Sequence, residues 1–570
     1  MTSVWAPRAG RVDLVVGDRR VAMDGPDDRG WFRSPVAVAP GQSYGFSLDG
    51  GPTRPDPRSR WQPDGPDGLS RAVDHDAFGW TDGAWPGRRL TGRSVVYELH
   101  VGTFSPEGTF DGAIGRLDHL VDLGVDVVEL LPVNQFPGRW GWGYDGVDLF
   151  APHAAYGGPD GLERLVDAAH GRGLAVVIDV VYNHLGPAGN YLREFGPYFT
   201  DRYNTPWGEA VNFDGPGSDE VRAFVIDNAR MWLRDYHADG LRLDAVHAIL
   251  DTSAIHVLEE LAGRVADLAA EVGRPLFLIA ESDLNDPRLV RPTAVGGYGL
   301  DAQWSDDFHH ALHAVVTGER SGYYADFGSL GQLAKALRQS YVQDGEYSAF
   351  RRRRHGRPPT GVPAVSFLGY LQNHDQVGNR ATGERSSMLV SPGLLQVAAA
   401  LVLLGPSVPM LFQGEEWAAS TPFLYFTDHQ DPELGRLVSE GRRREFASFG
   451  WAPDDIPDPQ SPKTFEQSQL DWNEVGDGVH RQLLDWHRRL IRLRRSEPAL
   501  SSGTFDDLAI RFDEEERWLV VDRGPITIAC NFGSEARGIS GLYGEVVLTS
   551  DGGGTDPVPP ESVRILRRPR

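Results

Sequence analysis

Three carboxylic acids in the sequence follow apolar runs that have the length of buried strands. They are Asp244, Glu281 and Asp375, which come after residues 240–243, 276–280 and 368–374. A carboxylate at the carboxyl end of a buried strand is costly to remove from water, so it usually serves catalysis, a metal ion or an ion pair. Three such positions in one chain predict a functional site.

Asp244 has a basic neighbour in its own run. Side chains alternate between the two faces of a strand, so Arg242 and Asp244 point in the same direction. We expect this cation to keep Asp244 ionised. No basic residue occurs in the run before Glu281, which makes Glu281 the better proton donor. An ionised carboxylate beside a protonated one is the arrangement that glycoside hydrolysis requires.

Eight apolar runs are predicted to be the strands that position these acids. They are Val95 to Leu99, Val125 to Leu131, Leu174 to Val181, Leu241 to Asp244, Leu276 to Glu281, Ala302 to Trp304, Phe367 to Gln372 and Met410 to Phe412. Segments with apolar residues three and four positions apart lie between them, as in Ile255, Leu258, Leu261, Val265 and Leu268, which is the spacing of one helical face. Eight repeats of strand and helix predict an α/β fold, the (β/α)8 TIM barrel.

Both ends of the chain have a different pattern, with short β-type runs separated by Pro and Gly. Val12 to Val16 and Tyr44 to Leu48 are examples near the amino terminus, and Trp518 to Val521 is one near the carboxyl terminus. We therefore predict an N-terminal β-sandwich over residues 1–90, a catalytic barrel over 91–497 and a C-terminal β-domain over 498–570.

The composition argues against two classes of partner. The 80 acidic residues exceed the 56 basic ones and give a net charge of −24, which repels nucleic acid and anionic membranes. No run of about 18 apolar residues occurs, and residues 1–8 lack the apolar core of a signal peptide. These features predict a soluble, cytoplasmic protein without nucleic-acid or membrane partners.

Four stretches carry a resemblance to a known family. They are Asp179 to His184, Gly240 to Asp244, Ile279 to Glu281 and Asn373 to Asp375. In order and approximate spacing they match the four sequence blocks of the α-amylase superfamily of retaining glycosidases. The resemblance implies Asp244 as nucleophile, Glu281 as general acid/base and Asp375 as the acid that grips sugar hydroxyls. It also implies that Asp179, His184, Arg242 and His374 bind substrate by ordering the sugar pocket.

Aromatic residues in a Gly-rich loop add further candidates. Tyr144 and Trp142 are not at helical spacing, and flat rings in such loops often stack on pyranose faces. His247 and Ala248 stand where many α-amylases have a Lys-His pair that contacts the sugar on the leaving side. We therefore include His247 among the substrate-binding residues and expect a different leaving-group site.

Longer stretches narrow the resemblance to one branch of the superfamily, the trehalose-releasing hydrolases. They are residues 142–147, 307–313, 371–380, 412–417 and 423–429. This resemblance implies hydrolysis of the α-1,4 bond beside the terminal trehalose of a maltooligosyl trehalose, with a maltooligosyltrehalose synthase as the functional partner. It requires no organic cofactor. Glycogen-branching enzymes share the N-terminal module and are the second choice.

Two other classes of function, a magnesium-dependent enzyme and a non-catalytic barrel, fit the sequence less well. Asp179, Asp244 and Glu281 at the ends of three strands could form an enolase-like magnesium site, but Arg242 beside Asp244 would repel the ion. A lone Asn183 is a weak calcium signal without acidic ligands around it, so no metal is expected. A non-catalytic sugar-binding or scaffold barrel would be free to lose its acids, yet all three are present.

Overall fold

The centre of the fold is a closed barrel of eight parallel strands. The computed structural model describes residues 2–205, 208–447 and 456–569. Barrel strands 1 to 8, in chain order, are Val96–Leu99, Val127–Leu130, Ala175–Val180, Gly240–Leu243, Phe277–Ala280, Ala302–Trp304, Phe367–Gly369 and Val408–Phe412. Strand 8 pairs with strand 1 and closes the barrel. Each predicted run overlaps one of these strands, so the predicted (β/α)8 barrel is confirmed.

Helices cover the outside of the barrel. Those of seven or more residues in the described ranges are Leu117–Leu123, Gly158–His170, Ser218–Arg234, Val257–Val272, Asp306–Thr317, Leu330–Gln339, Pro392–Leu403, Pro432–Ala447 and Gly478–Ser496. The helix Val257–Val272 buries Leu258, Leu261, Val265 and Leu268, as its spacing predicts. Ile255 was predicted to share that face. This was wrong, because Ile255 precedes the helix and is 57% exposed.

Sheets at both ends of the chain flank the barrel. The N-terminal strands are Ser3–Trp5, Val12–Val16, Arg19–Ala22, Trp31–Arg33, Ser43–Leu48, Thr53–Arg54 and Ser70–Arg71, arranged in two sheets. The C-terminal strands Leu508–Asp513, Trp518–Arg523, Ile526–Asn531, Glu545–Thr549 and Ser562–Arg567 form one antiparallel sheet. The predicted β-rich ends are confirmed, whereas the boundaries at residues 90 and 497 stay predictions.

The strand ends bring the predicted acids to one mouth of the barrel, because parallel strands all point the same way. Asp244 and Glu281 are the residues directly after strands 4 and 5. Strand 7 ends at Gly369, earlier than predicted, and Asp375 lies in the short helix His374–Gly378 that follows. The site is therefore attached to rigid strands and to their first turns.

A buried ionic bridge fixes the opposite end of strands 3 and 4. His170 contacts Asp82 through Nδ1 at 2.8 Å and Asp239 through Nε2 at 2.9 Å. Asp239 immediately precedes strand 4, and its Oδ2 also accepts the Val176 N–H of strand 3 at 2.9 Å. Burial would lower the pKa of His170, but its hydrogen bonds to Asp239 and Asp82 outweigh burial and raise the pKa.

We predict that His170→Gln destabilises the protein in a pH-dependent way. Because the folded pKa is raised, the bridge contributes fully below the unfolded pKa of about 6.5 and is lost as pH rises through the folded value. Breaking a buried ion pair costs about 3 kcal/mol. The urea midpoint of the variant should therefore fall well below that of the unmodified protein at pH 6, with a smaller difference at higher pH.

His237→Gln is the matched control for this prediction. His237 contacts the same Asp82 oxygen at 2.8 Å, but its side chain is 32% exposed and does not reach Asp239. We expect a cost below about 1 kcal/mol. Equal effects of the two substitutions, or a His170 effect independent of pH, would contradict the bridge.

Candidate active site

The centre of the site is the buried guanidinium of Arg242. Its side chain is fully buried, and its Nη1 lies 2.7 Å from Asp179 Oδ2 and 2.8 Å from Asp244 Oδ1. Its Nη2 lies 3.6 Å from Glu281 Oε2. Trp304 covers the guanidinium at 4.1 Å from the ring centroid. One cation thus joins three of the predicted site carboxylates.

Asp244 is held in place from two sides. Arg242 contacts Oδ1, and the Asn183 amide donates to Oδ2 at 2.8 Å and to the Asp244 carbonyl oxygen at 2.9 Å. His184 in turn contacts Asn183 Oδ1 at 2.6 Å. Both Asp244 oxygens are therefore oriented by groups that stabilise a carboxylate, as expected of a nucleophile.

Glu281 is anchored by the backbone that follows Asp244. Ala245 adopts a left-handed conformation with φ of 40°, which is strained for a residue with a Cβ. This turn lets the Ala245 N–H donate to Glu281 Oε2 at 2.5 Å, and the Val246 N–H donate to the Glu281 carbonyl at 3.0 Å. The turn after strand 4 thereby fixes Asp244 and Glu281 relative to each other.

The protonation of Glu281 differs from that of an ordinary glutamate. Burial raises its pKa, and the negative charges of Asp244, Asp306 and Asp375 raise it further against the opposing effect of Arg242. These effects favour the protonated form of Glu281. This property suits a general acid that must donate a proton before it can act as a base.

Asp306 is a further carboxyl whose charge acts on Glu281. It begins the helix Asp306–Thr317 after strand 6 and accepts the Tyr370 O–H at 2.5 Å. Burial raises its pKa to about 7, with Asp283, Asp307 and Asp375 adding to the effect and the Tyr370 hydrogen bond opposing it.

Four of the predicted residues are connected to one another beside Arg242. Asp179 in strand 3 accepts the Tyr144 O–H at 2.6 Å. Burial raises the pKa of Asp179 to about 6 despite Arg242. The Tyr144 ring stacks on His374 with centroids 5.1 Å apart, and His374 Nε2 lies 3.5 Å from Asp375 Oδ1. Tyr144, Asp179, His374 and Asp375 therefore form one connected group with Arg242.

Two predicted residues lie at the edge of this group. His247, in the turn after Asp244, has a buried Nδ1 without a hydrogen-bond partner among the described residues. Trp142 is only 6% exposed, packs against Phe423 and donates to the Leu424 carbonyl at 3.0 Å. Its contacts are with protein groups, so its contact with sugar stays a prediction.

Comparison with known proteins gives close relatives along the whole chain. A malto-oligosyltrehalose trehalohydrolase from Rhizobium sp. (strain M-11) is 52% identical, over 99% of this chain and 97% of the relative. The chain belongs to the malto-oligosyltrehalose trehalohydrolase family. Members from Arthrobacter ramosus, at 54% identity over 95% of this chain and 96% of theirs, and from Saccharolobus solfataricus, at 46% over 86% and 84%, are also similar.

Family models and solved structures agree with this membership. The model "Alpha amylase, catalytic domain" matches residues 71–204, and a domain of unknown function, DUF3459, matches 503–565. A solved Salmonella typhimurium protein named as an alpha amylase has a TM-score of 0.92 and 38% identity, covering 100% of this chain and 97% of its own. A glucan branching enzyme from Pseudoalteromonas atlantica is 28% identical over 55% of this chain and 49% of its own. The resemblance to the α-amylase superfamily is confirmed.

Sequence reasoning missed two polar residues of this trehalohydrolase-family site. Asn183 was considered only as a calcium ligand, although its amide holds Asp244. Asp306 directly precedes the stretch 307–313 that carried the family resemblance, and no role was assigned to it. The available signal for Asp306 was its position at the end of strand 6, the same signal that identified Asp244 and Glu281.

The geometry also bears on the magnesium hypothesis. Arg242 Nη1 contacts the facing oxygens of Asp179 and Asp244, which are the atoms that a Mg²⁺ ion would use. Among the described residues, no group of three His, Cys, Asp or Glu side chains is arranged to hold a metal. The donor set does not fit a magnesium centre.

We predict that Asp306→Asn narrows the pH range of activity. Removing this charge lowers the pKa of Glu281, so the proton needed for catalysis is lost at lower pH. We expect kcat/KM to fall about threefold or more at pH 8 while remaining near the unmodified value at pH 6. A full pH profile of kcat/KM measures the change.

Asp301→Asn is the control, because Asp301 precedes the opposite end of the same strand and accepts the Leu278 N–H at 2.8 Å. Its profile should keep the unmodified shape. A profile of Asp306→Asn that is lowered equally at every pH would contradict an effect through Glu281.

Proposed function

We propose that this chain is a retaining glycoside hydrolase that cleaves the α-1,4 bond beside the terminal trehalose of a maltooligosyl trehalose. Its products are trehalose and a malto-oligosaccharide. The observation that supports this chemistry is the difference between two neighbouring acids. Asp244 is in close contact with Arg242, whereas Glu281 lies farther from it and has a raised pKa. The names and full-length similarity of its relatives support the substrate.

The first step uses the two acids in different forms. Glu281, whose pKa is raised, donates its proton to the glycosidic oxygen, while Asp244 attacks the anomeric carbon from the opposite face. Trehalose leaves with the proton and a glycosyl ester forms on Asp244. The ionised Glu281 then removes a proton from water, which attacks the anomeric carbon. The bond between that carbon and the Asp244 carboxylate breaks, so the sugar is released with retained α configuration and Asp244 is free again.

The other residues of the site are assigned to substrate binding. Asp375 and His374 lie beside the position of the reacting ring and offer partners for its hydroxyls. Arg242, Asp179 and His184 order that pocket, and Tyr144 is assigned to contact with the sugar. His247, after Asp244, is assigned to the leaving side.

The substrate implies a place in a reaction sequence and a compartment. An enzyme that converts the reducing end of a malto-oligosaccharide into a 1,1-linked unit must supply it, so we propose functional pairing with a maltooligosyltrehalose synthase.

We further propose a cytoplasmic location, which the strongly acidic charge and the buried, unpaired Cys530 support. No described helix is long and apolar enough to cross a membrane.

We predict that Asp244→Ala and Glu281→Ala each lower kcat at least about 10³-fold, because each removes one step of the double displacement. Azide should partly rescue the Asp244 variant and yield a β-glycosyl azide, since a small anion can enter the vacated space. Asp286→Ala, in the loop after Glu281, is the control and should retain activity, because the Asp286 carboxylate pairs with the exposed Arg288. An Asp244 variant with a tenth of normal activity would refute the nucleophile.

The substrate assignment predicts a preference between two five-glucose chains. Maltotriosyl trehalose should be cleaved to free trehalose with a kcat/KM at least about tenfold above that for maltopentaose, a difference of about 1.4 kcal/mol in barrier. Equal values would contradict the assignment. A branching enzyme would instead reduce the iodine stain of amylose with little increase in reducing ends, so this assay on the same preparation separates the alternative.

A further inference from the structure

Two buried glutamates lie side by side beneath the site and have no part in the proposed reaction. Glu98 in strand 1 and Glu129 in strand 2 are register partners, and each is 1% exposed. Two neighbouring buried carboxyl groups cannot both be ionised without a large cost. Their surroundings decide which of them is charged.

Glu98 makes a two-point contact with His374. Its Oε1 lies 2.5 Å from His374 Nδ1, and its Oε2 accepts the His374 backbone N–H at 3.0 Å. These contacts fix both the ring and the first residue of the helix that carries Asp375. The other ring nitrogen, Nε2, is buried, has no hydrogen-bond partner in the described residues and lies on the side of Asp375.

Glu129 has the opposite environment. Its Oε2 is buried without a hydrogen-bond partner in the part of the chain described. Burial raises its pKa well above the usual value, and the charge of Glu98 raises it further against the opposing effects of Arg242 and His374. The raised pKa favours the protonated form of Glu129, whereas Glu98 is the member that contacts the His374 ring.

The groups facing His374 decide its charge. They are Glu98 from strand 1, Glu129 from strand 2, Arg242 from strand 4, His100 after strand 1 and Asp375 on its own helix. Burial alone would lower the pKa of His374. The charges of Asp375 and Glu98 and the hydrogen bond to Glu98 outweigh burial and raise the pKa to about 9. At neutral pH both ring nitrogens therefore carry protons.

We propose that Glu98 is a positioning residue that holds His374 as an imidazolium, with its Nε2–H available to a hydroxyl of the sugar bound beside Asp375. This inference rests on the proposed function for the identity of that sugar, but the charge state belongs to the resting protein. A charged donor binds a hydroxyl more strongly than a neutral ring does. Glu98 thus acts on the substrate only through His374.

The test is Glu98→Gln, which keeps the shape of the side chain and removes its charge. In ¹⁵N-histidine NMR of the substrate-free protein, the His374 ring, assigned by its absence in His374→Gln, should remain protonated up to about pH 9. In Glu98→Gln the His374 ring should lose its proton at a lower pH than in the unmodified protein. At pH 7.5, kcat should fall about 30-fold with little change in KM, as a charged hydrogen bond is replaced by a neutral one.

The loss should be smaller at pH 5, where acid protonates His374 again, and this pH dependence would not arise from a purely structural defect. Glu129→Gln is the matched control, with the same register and burial but a raised pKa that favours its neutral form. It should keep the unmodified His374 titration and activity within about threefold.

Three results would overturn the inference. They are a His374 ring that is neutral at pH 7 in the unmodified protein, an unchanged titration in Glu98→Gln, or an equal shift in Glu129→Gln. The first is measured on the unmodified protein and does not depend on either glutamate variant. Because the NMR experiment uses no substrate, an incorrect choice of oligosaccharide would leave its outcome unaffected and would appear only in the product assay.

Discussion

The site depends on one buried cation, Arg242, shared among carboxylates of three neighbouring strands. A guanidinium without exposure to water needs partners that replace water, and Asp179, Asp244 and Glu281 supply them here as carboxylates. Its two closest contacts are with Asp179 and Asp244, whereas Glu281 lies farther away at 3.6 Å. Arg242 therefore stabilises a negative charge on Glu281 less than one on Asp244.

The barrel makes this arrangement possible through the ends of its strands and the turns that follow them. Strands 4 and 5 deliver Asp244 and Glu281 to the same mouth, and the left-handed turn at Ala245 ties their backbones together. On the opposite wall, Glu98 contributes a negative charge from inside strand 1. Catalytic groups at the mouth are therefore supported by charges one layer deeper, where solvent cannot screen them.

Much of this could be predicted from the sequence, because apolar runs identify strands and each strand end identifies a mouth residue. Asp244, Glu281 and the barrel followed from that pattern. Asn183 and Glu98 did not, since their roles depend on partners 61 and 276 residues away in the chain. The burial of Trp142 could not be predicted from the sequence either. Trp142 sits in a Gly-rich loop typical of exposed sugar platforms, yet tertiary packing against Phe423 covers it.

The central claim is that Asp244 attacks while Glu281 only transfers protons. The most direct measurement uses Glu281→Gln with α-maltosyl fluoride, whose leaving group needs no acid, followed by mass spectrometry of the protein and its peptides. Without the base for the second step, a maltosyl ester should accumulate on the peptide that contains Asp244. A burst of fluoride without any adduct, or an adduct on another residue, would contradict the account.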